Sequence, residues 1–143
     1  MSSPGRDRRV FVDTSAYFAA IDPRDASHLA AASAMRLLVD ANHSLITTNF
    51  VLAELHALLL ARMGRLVAVQ TLVDLRVSQT IVRARASDEV RAEAILLQYD
   101  DKLFSYTDAV SFAVMERTSV SVAFALDHHF AQYGWTVVPT DRN

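Results

Sequence analysis

Val10-Phe11-Val12-Asp13-Thr14-Ser15-Ala16 is the segment that decides the fold. Its first three residues form a short apolar run of strand type, which stops at an aspartate. Thr14 and Ser15 then supply the hydroxyls that start a helix, predicted to run to about Ile21. Asp22-Pro23-Arg24-Asp25 breaks that helix, and the alanine-rich residues 26–40 predict a second one. A second short strand is expected over 44–47. Residues 50–61, apolar almost all round, read as a buried helix that ends near Gly64, with another helix over about 66–77. The same alternation returns in the second half. A strand is predicted at 80–82, a helix opens at Ser87-Asp88-Glu89, and a further helix runs from Thr107-Asp108 to about Arg117. The strongest strand signal lies at 119–126 (SVSVAFAL) and stops at Asp127; a helical turn, Gly134 and a last strand at 135–138 follow. Strands separated by helices require crossover connections. The predicted class is therefore α/β, a three-layer α/β/α arrangement around a mostly parallel sheet of four or five strands.

Composition narrows the functional classes. The chain has 143 residues, 52% of them hydrophobic and 21% charged, which suits one domain with a sizeable core. The expected organisation is a flexible segment over 1–9, one domain over 10–140 and a short tail over 141–143. With no cysteine, disulfides, thiolate metal sites and thiol nucleophiles are excluded. No apolar run approaches the roughly 20 residues of a membrane span, and the polar start MSSPGRDRR has no signal-peptide core, so a cytoplasmic protein is expected. Fourteen basic residues against 16 acidic ones give a net charge of −2. A polyanionic substrate would thus need local basic residues or bound cations.

Most of the acids, such as Asp100-Asp101 and Asp88-Glu89, stand in polar surroundings and read as a solvated face. Four stand in core-forming segments: Asp13, Glu54, Asp108 and Asp127. Carboxylates are seldom placed there unless something compensates the loss of water. Asp74 has equally apolar neighbours but lies inside an amphipathic helix beside Arg76, away from any strand end, and is set aside. Asp13 and Asp127 both follow strands, and the carboxyl ends of parallel strands share the edge where such sheets bind ligands. Asp108 is expected in the first turn of a helix that starts near that edge. Glu54, placed on the helix face of Phe50, Leu58 and Ala61, is expected to point toward the core. Two carboxylates about 5 Å apart repel by roughly 3 kcal/mol at an effective dielectric of 20. A cluster of them therefore takes up protons or holds a divalent ion. Oxygen ligands without cysteine favour Mg²⁺ or Mn²⁺ over zinc, a set suited to phosphodiester hydrolysis.

Other readings fit less well. A haloacid-dehalogenase-like phosphotransferase wants an aspartate where Ser15 stands, three scattered glycines make no phosphate loop, and Lys102 is the only lysine a receiver domain could use. His128-His129 resembles a metal pair, but adjacent side chains point apart, so neither is expected to be a ligand. His28 and His56 read as structural or surface residues. Arg62 and Arg65 read equally as phosphate contacts or as helix-end charges. Part of the leucine-rich run over 50–60, with residues 66–75, is a candidate apolar groove for a partner helix or for self-association.

Four pieces now stand in order: VFVDTSAYFAAIDPRDASHLAAA, TTNFVLAEL, SYTDAVSFAVME and VSVAFALDHHFAQYGWTVV, with acids at 13, 54, 108 and 127. Together they resemble the PIN-domain ribonucleases, and among these the VapC-type toxins of type II toxin–antitoxin modules. The resemblance covers nearly all of the chain after Arg9. It implies a compact α/β domain that cleaves RNA with Mg²⁺ or Mn²⁺. Residue by residue, it implies that Asp13 and Asp108 contact the metal most directly. Glu54 and Asp127 would complete the cluster through waters or a second ion, and Ser15 would orient the first aspartate. Many relatives carry threonine two residues before the last aspartate, where this chain has Ala125. The resemblance also implies a homodimer and a cognate antitoxin that inserts a helix into an apolar groove and a basic side chain among the carboxylates. The other class to weigh is a non-catalytic PIN-like module in RNA processing or protein interaction.

Overall fold

The computed structural model describes residues 7–140. Of the expected flexible segment only residues 7–9 fall within it, and the expected tail over 141–143 lies outside the described residues. β1 (Arg9–Val12) leads into α1 (Thr14–Ile21) and α2 (His28–Asp40). β2 (Ser44–Thr48) leads into α3 (Asn49–Met63) and α4 (Arg65–Ser78), and β3 (Thr80–Val82) into α5 (Ala86–Gln98) and α6 (Tyr106–Thr118). β4 (Val122–Phe124), α7 (His129–Tyr133) and β5 (Thr136–Val138) complete the order. Every strand pair is parallel, and the sheet order is β3-β2-β1-β4-β5. The fold is the expected three-layer α/β/α sandwich, with five strands. Among the described residues, no helix is long and apolar enough to cross a membrane.

Strand order explains where a site can form. The chain steps outward from β1 to β2 and β3, then returns to lay β4 on the other side of β1. Right-handed crossovers running in opposite directions put their helices on opposite faces, which leaves a crevice at the carboxyl ends of β1 and β4. Central parallel strands are covered on both faces, and Val10, Phe11 and Val12 are all buried.

An aromatic cluster fixes the second helical layer against this crevice. Phe112 of α6 stacks on Tyr133 at 4.5 Å between ring centroids and meets Phe130 and Phe104 edge-on at 4.9 and 5.1 Å. Phe130 in turn lies 6.0 Å from Phe11 of β1. These contacts lock α6 and α7 to the central strand, and with them the first turn of α6 and the turn between β4 and α7.

Three expectations change. The helix buried all round is α6, in which every residue from Asp108 to Met115 is buried. α3 instead buries one stripe, Val51, Leu52, Leu55 and Leu59. The predicted strand over 119–126 shrinks to β4, because Ser119 adopts the left-handed conformation (φ 58°, ψ 35°) that closes α6. The Val120 N–H then donates to the Met115 carbonyl (3.0 Å), so the first residues of the apolar run belong to a helix end.

Asp88 is buried rather than solvated. Its carboxylate caps α5 by accepting from the Arg85 N–H (2.8 Å) and receives the Arg117 guanidinium through Nε and a terminal nitrogen, both at 2.9 Å. Burial disfavours its charge, but the Arg117 hydrogen bonds and the Arg85 N–H outweigh that and hold the carboxyl below its ordinary range. A lowered folded-state pKa stabilises the protein above the unfolded carboxyl pKa, and this contribution fades as pH falls through the folded value. Arg117→Ala leaves a buried carboxylate without its partner and should destabilise the fold by about 3 kcal/mol in urea titrations at pH 7. The difference from wild type should narrow at pH 3.

Candidate metal centre

Three carboxylates meet at the crevice, each placed by local helix-starting chemistry. Asp13 is the N-cap of α1: its Oδ2 accepts from the Ser15 N–H (3.2 Å) and the Ser15 hydroxyl (2.7 Å). Asp108 closes a capping box with Ser105 at the start of α6. Its Oδ2 accepts from the Ser105 N–H (3.0 Å), while its own N–H donates to the Ser105 hydroxyl (3.0 Å). Asp127 Oδ1 accepts from the His129 N–H (3.1 Å) and turns the chain from β4 into α7. In each acid one oxygen is committed to the backbone that positions it. Among the described residues the other, Oδ1 of Asp13 and Asp108 and Oδ2 of Asp127, has no hydrogen-bond partner.

The electrostatics are those of a site that needs positive charge. Asp13 is 2% exposed, and burial, followed by the charge of Asp127, pushes its carboxyl up to about 7 despite the Ser15 hydroxyl and N–H and with a further contribution from Asp108. Asp108 is 5% exposed and is also raised, chiefly by burial; the Ser105 N–H opposes the shift, Asp127 adds to it, and His129 lowers it. Helix N-termini at α1 and α6 favour negative charge here but do not offset it fully. Oxygen atoms of Asp108 and Asp127 and a ring nitrogen of His129 lie within 4.8 Å of one another. Free oxygens on crowded, desolvated carboxylates are the donor set that Mg²⁺ and Mn²⁺ select. The residues present therefore fit a hard divalent cation.

The other predicted residues fall in different places. Glu54 is exposed on α3, and the expectation that it points toward the core is corrected. The stripe drawn through Phe50 and Leu58 is not the core face. Phe50 leans across to the first turn of α6, where its ring meets Tyr106 edge-on at 5.5 Å. One turn on from Phe50, Glu54 faces outward, and among the described residues no hydrogen bond or close ligand grouping joins it to Asp13, Asp108 or Asp127. Ser15 does more than hold Asp13, since its oxygen also accepts from the Leu126 N–H (3.0 Å) and so stitches α1 to the end of β4. This bond anchors the chain beside Ala125.

His28 hydrogen-bonds the Ala19 carbonyl (2.8 Å) and is structural. His56 lines the seam between α3 and α4, and Arg62 and Arg65 are exposed at the turn joining those helices. That seam, formed by Leu52, Leu55, Leu59, Ala68, Leu72 and Leu75, has no room for a water molecule, so it is not the open groove expected. The apolar side chains left exposed on these helices are Leu60, Leu66, Val73 and Val77. Asp74 is exposed and bonded to Gln70, a surface acid as read.

One residue of the site was missed. His128 is exposed, but the His129 ring lies 2.7 Å from Asp108 through Nδ1. The premise that neighbouring side chains diverge holds; only one of the two needed to enter. A sequence signal existed in the D-x-H spacing, because an aspartate that caps the N–H two residues on also sets that residue's position.

The family model described as PIN domain matches residues 10–136. The 23S rRNA-specific endonuclease VapC20 of Mycobacterium tuberculosis, curated for two strains, is 36% identical over 132 residues, covering 90% of this chain and 97% of the relative. The crystal structure of Mycobacterium tuberculosis VapC20, a sarcin–ricin loop cleaving toxin, superposes with a TM-score of 0.81 at 32% identity, covering 89% of this chain and 96% of that one. VapBC2 from Rickettsia felis bound to a DNA fragment from its promoter has a TM-score of 0.66 at 15% identity, covering 90% and 96% respectively, a likeness of fold.

Raising the Asp13 carboxyl has a consequence for stability. Its unfolded-state pKa is near 3.8 and its folded value about 7. Stability from this group is full below the lower value, declines as pH rises, and is gone above the higher one. Melting temperature measured in chelator should therefore fall between pH 5 and pH 8. Asp13→Asn should melt higher than wild type at pH 8 by several degrees, and added Mn²⁺ should raise the wild type more at pH 8 than at pH 5. A wild-type melting temperature that stays flat across this range in chelator would contradict the assignment.

Proposed function

The chain belongs to the PIN domain family, and from that premise we propose that it is a metal-dependent endoribonuclease, the toxin of a toxin–antitoxin pair, acting on RNA in the cytoplasm. One observation carries the reading: carboxylates from β1, α6 and the end of β4 converge at the strand-order switch, each with one oxygen left uncommitted. A purely structural module gains nothing from concentrating negative charge in a desolvated crevice. The alternative of a non-catalytic PIN-like module therefore has less support.

Asp13, Asp108 and Asp127 are proposed to hold Mg²⁺ or Mn²⁺ through those free oxygens, with Glu54 completing the cluster from the solvent side. The cation, when bound, polarises a phosphoryl oxygen, lowers the pKa of a water and stabilises the leaving oxygen. Hydrolysis would add a water to phosphorus and break one P–O ester bond, with the departing oxygen taking up a proton. This chain's contribution is geometric. Ser15 keeps Asp13 fixed relative to β4, the Ser105 box keeps Asp108 at the mouth of α6, and the aromatic cluster beneath prevents either from relaxing away from its neighbours.

RNA bound by a relative is a rational first substrate. A stem–loop carrying the sarcin–ricin sequence of 23S rRNA, the element named for VapC20, serves as the probe. A cognate antitoxin is proposed to neutralise the carboxylates with a basic side chain, packing against exposed apolar residues of α3 and α4 such as Leu60 and Val73. A second copy of the chain is proposed as a further partner.

Cleavage of that stem–loop should require Mn²⁺ or Mg²⁺ and stop in chelator. Asp13→Asn and Asp108→Asn should each lower the rate by about 100-fold or more, read as labelled product on a denaturing gel. Cleavage that survives both substitutions removes the nuclease mechanism. An absence of cleavage of any structured RNA, with tight binding of a partner retained, favours the module.

A further inference from the structure

Resting on the nuclease reading, we infer that His129 is a positioning residue of the metal centre: its ring N–H aims Asp108, and its backbone N–H aims Asp127. Both contacts are direct. Nδ1 lies 2.7 Å from Asp108 Oδ2, and the His129 N–H donates to Asp127 Oδ1 at 3.1 Å. One residue thereby couples acids that arrive on two different elements, α6 and the β4–α7 turn.

The pattern of committed atoms identifies the role. Asp108 Oδ2 receives both the Ser105 N–H and the ring, which satisfies that oxygen and fixes the carboxylate plane. Oδ1 is then the atom left for a cation. With Ser105 alone, the carboxylate is held at one point and can rotate; the second donor, arriving from another element, removes that freedom. Ser15 performs the same service at Asp13, where a hydroxyl and an N–H saturate Oδ2. Direct ligation by His129 is the competing role. Nδ1 is engaged with a carboxylate, which leaves only Nε2 for a metal, and Mg²⁺ and Mn²⁺ prefer oxygen to imidazole nitrogen, so the ring supports a ligand rather than acting as one.

The ring is also built into place. The side chain is 32% exposed, against 8% for that of Asp108, so the contact is part-buried. Buried Phe104 meets the imidazole edge-on, with centroids 5.8 Å apart and planes at 75°. Phe104 itself is gripped by Phe112 and Tyr99, so the ring rests on a rigid floor.

Mn²⁺ binding, followed by paramagnetic resonance on the full chain without RNA, tests the role apart from cleavage. His129→Ala should weaken Mn²⁺ affinity by about 10-fold or more, the range expected on losing a residue that orients a ligand. His129→Asn, whose amide nitrogen can stand where Nδ1 stood, should recover most of it. In wild type, long-range proton–nitrogen correlation should place a proton on Nδ1, and pulsed paramagnetic resonance of the Mn²⁺-loaded protein should show no directly coordinated imidazole nitrogen. Unchanged affinity in folded His129→Ala, an unprotonated Nδ1, or a coordinated nitrogen would each overturn the inference, the last two without needing any variant to fold. Wild-type protein that takes up no Mn²⁺ would overturn the nuclease reading, and this inference with it.

Discussion

Mutual repulsion among buried carboxylates is the constraint around which this molecule is organised. Asp13 and Asp108 are almost fully removed from water, and both feel the charge of Asp127. Left alone, such a cluster would spread apart or take up protons. Neither escape by movement is open, because each acid is also the residue that starts or turns a local element: the cap of α1, the capping box of α6, the turn into α7. The interactions that form the helices are the same ones that hold the charges together. A bound cation then relieves a tension that the fold itself maintains.

Rigidity beneath the acids makes this possible. Phe112, Phe130, Phe104 and Tyr133 form one packed unit between α6, α7 and the sheet, reaching Phe11 in β1. On the other flank Ser15 joins Asp13 to the Leu126 backbone. The centre is thus braced from below by apolar contact and from the side by a hydroxyl. Asp88 and Arg117 show a contrasting use of a buried acid, since there the compensating charge is a permanent part of the chain.

Much of the architecture was legible because its signals are local. Short apolar runs ending in Asp13 and Asp127, and hydroxyl or acidic residues at helix starts, are readable wherever they occur. What could not be read depended on partners distant in sequence. Residues 119–121 look like strand until Ser119 is seen closing α6 in the left-handed conformation. The stripe through Phe50 and Glu54 looked like a core face because Phe50 is large and apolar, yet its partner is Tyr106, more than fifty residues on. Asp88 read as solvated because Arg117 lies 29 residues on. The three acids of the cluster follow from strand ends and helix starts, whereas His129 escaped because its D-x-H spacing fixes where it stands but not its contact with Asp108, 21 residues away.

The order in which the strands are threaded has a bearing on synthesis. β1 is made first but gains its neighbour β4 only after every other strand except the edge strand β5 has been made. A polypeptide interrupted before residue 127 therefore carries Asp13 and Asp108 with nothing to close the pocket between them, and lacks the Phe130 and Tyr133 rings that brace it. Asp127 and the rings behind it are thus the last parts of the crevice to be made, and a product that ends before them lacks the assembled acidic cluster.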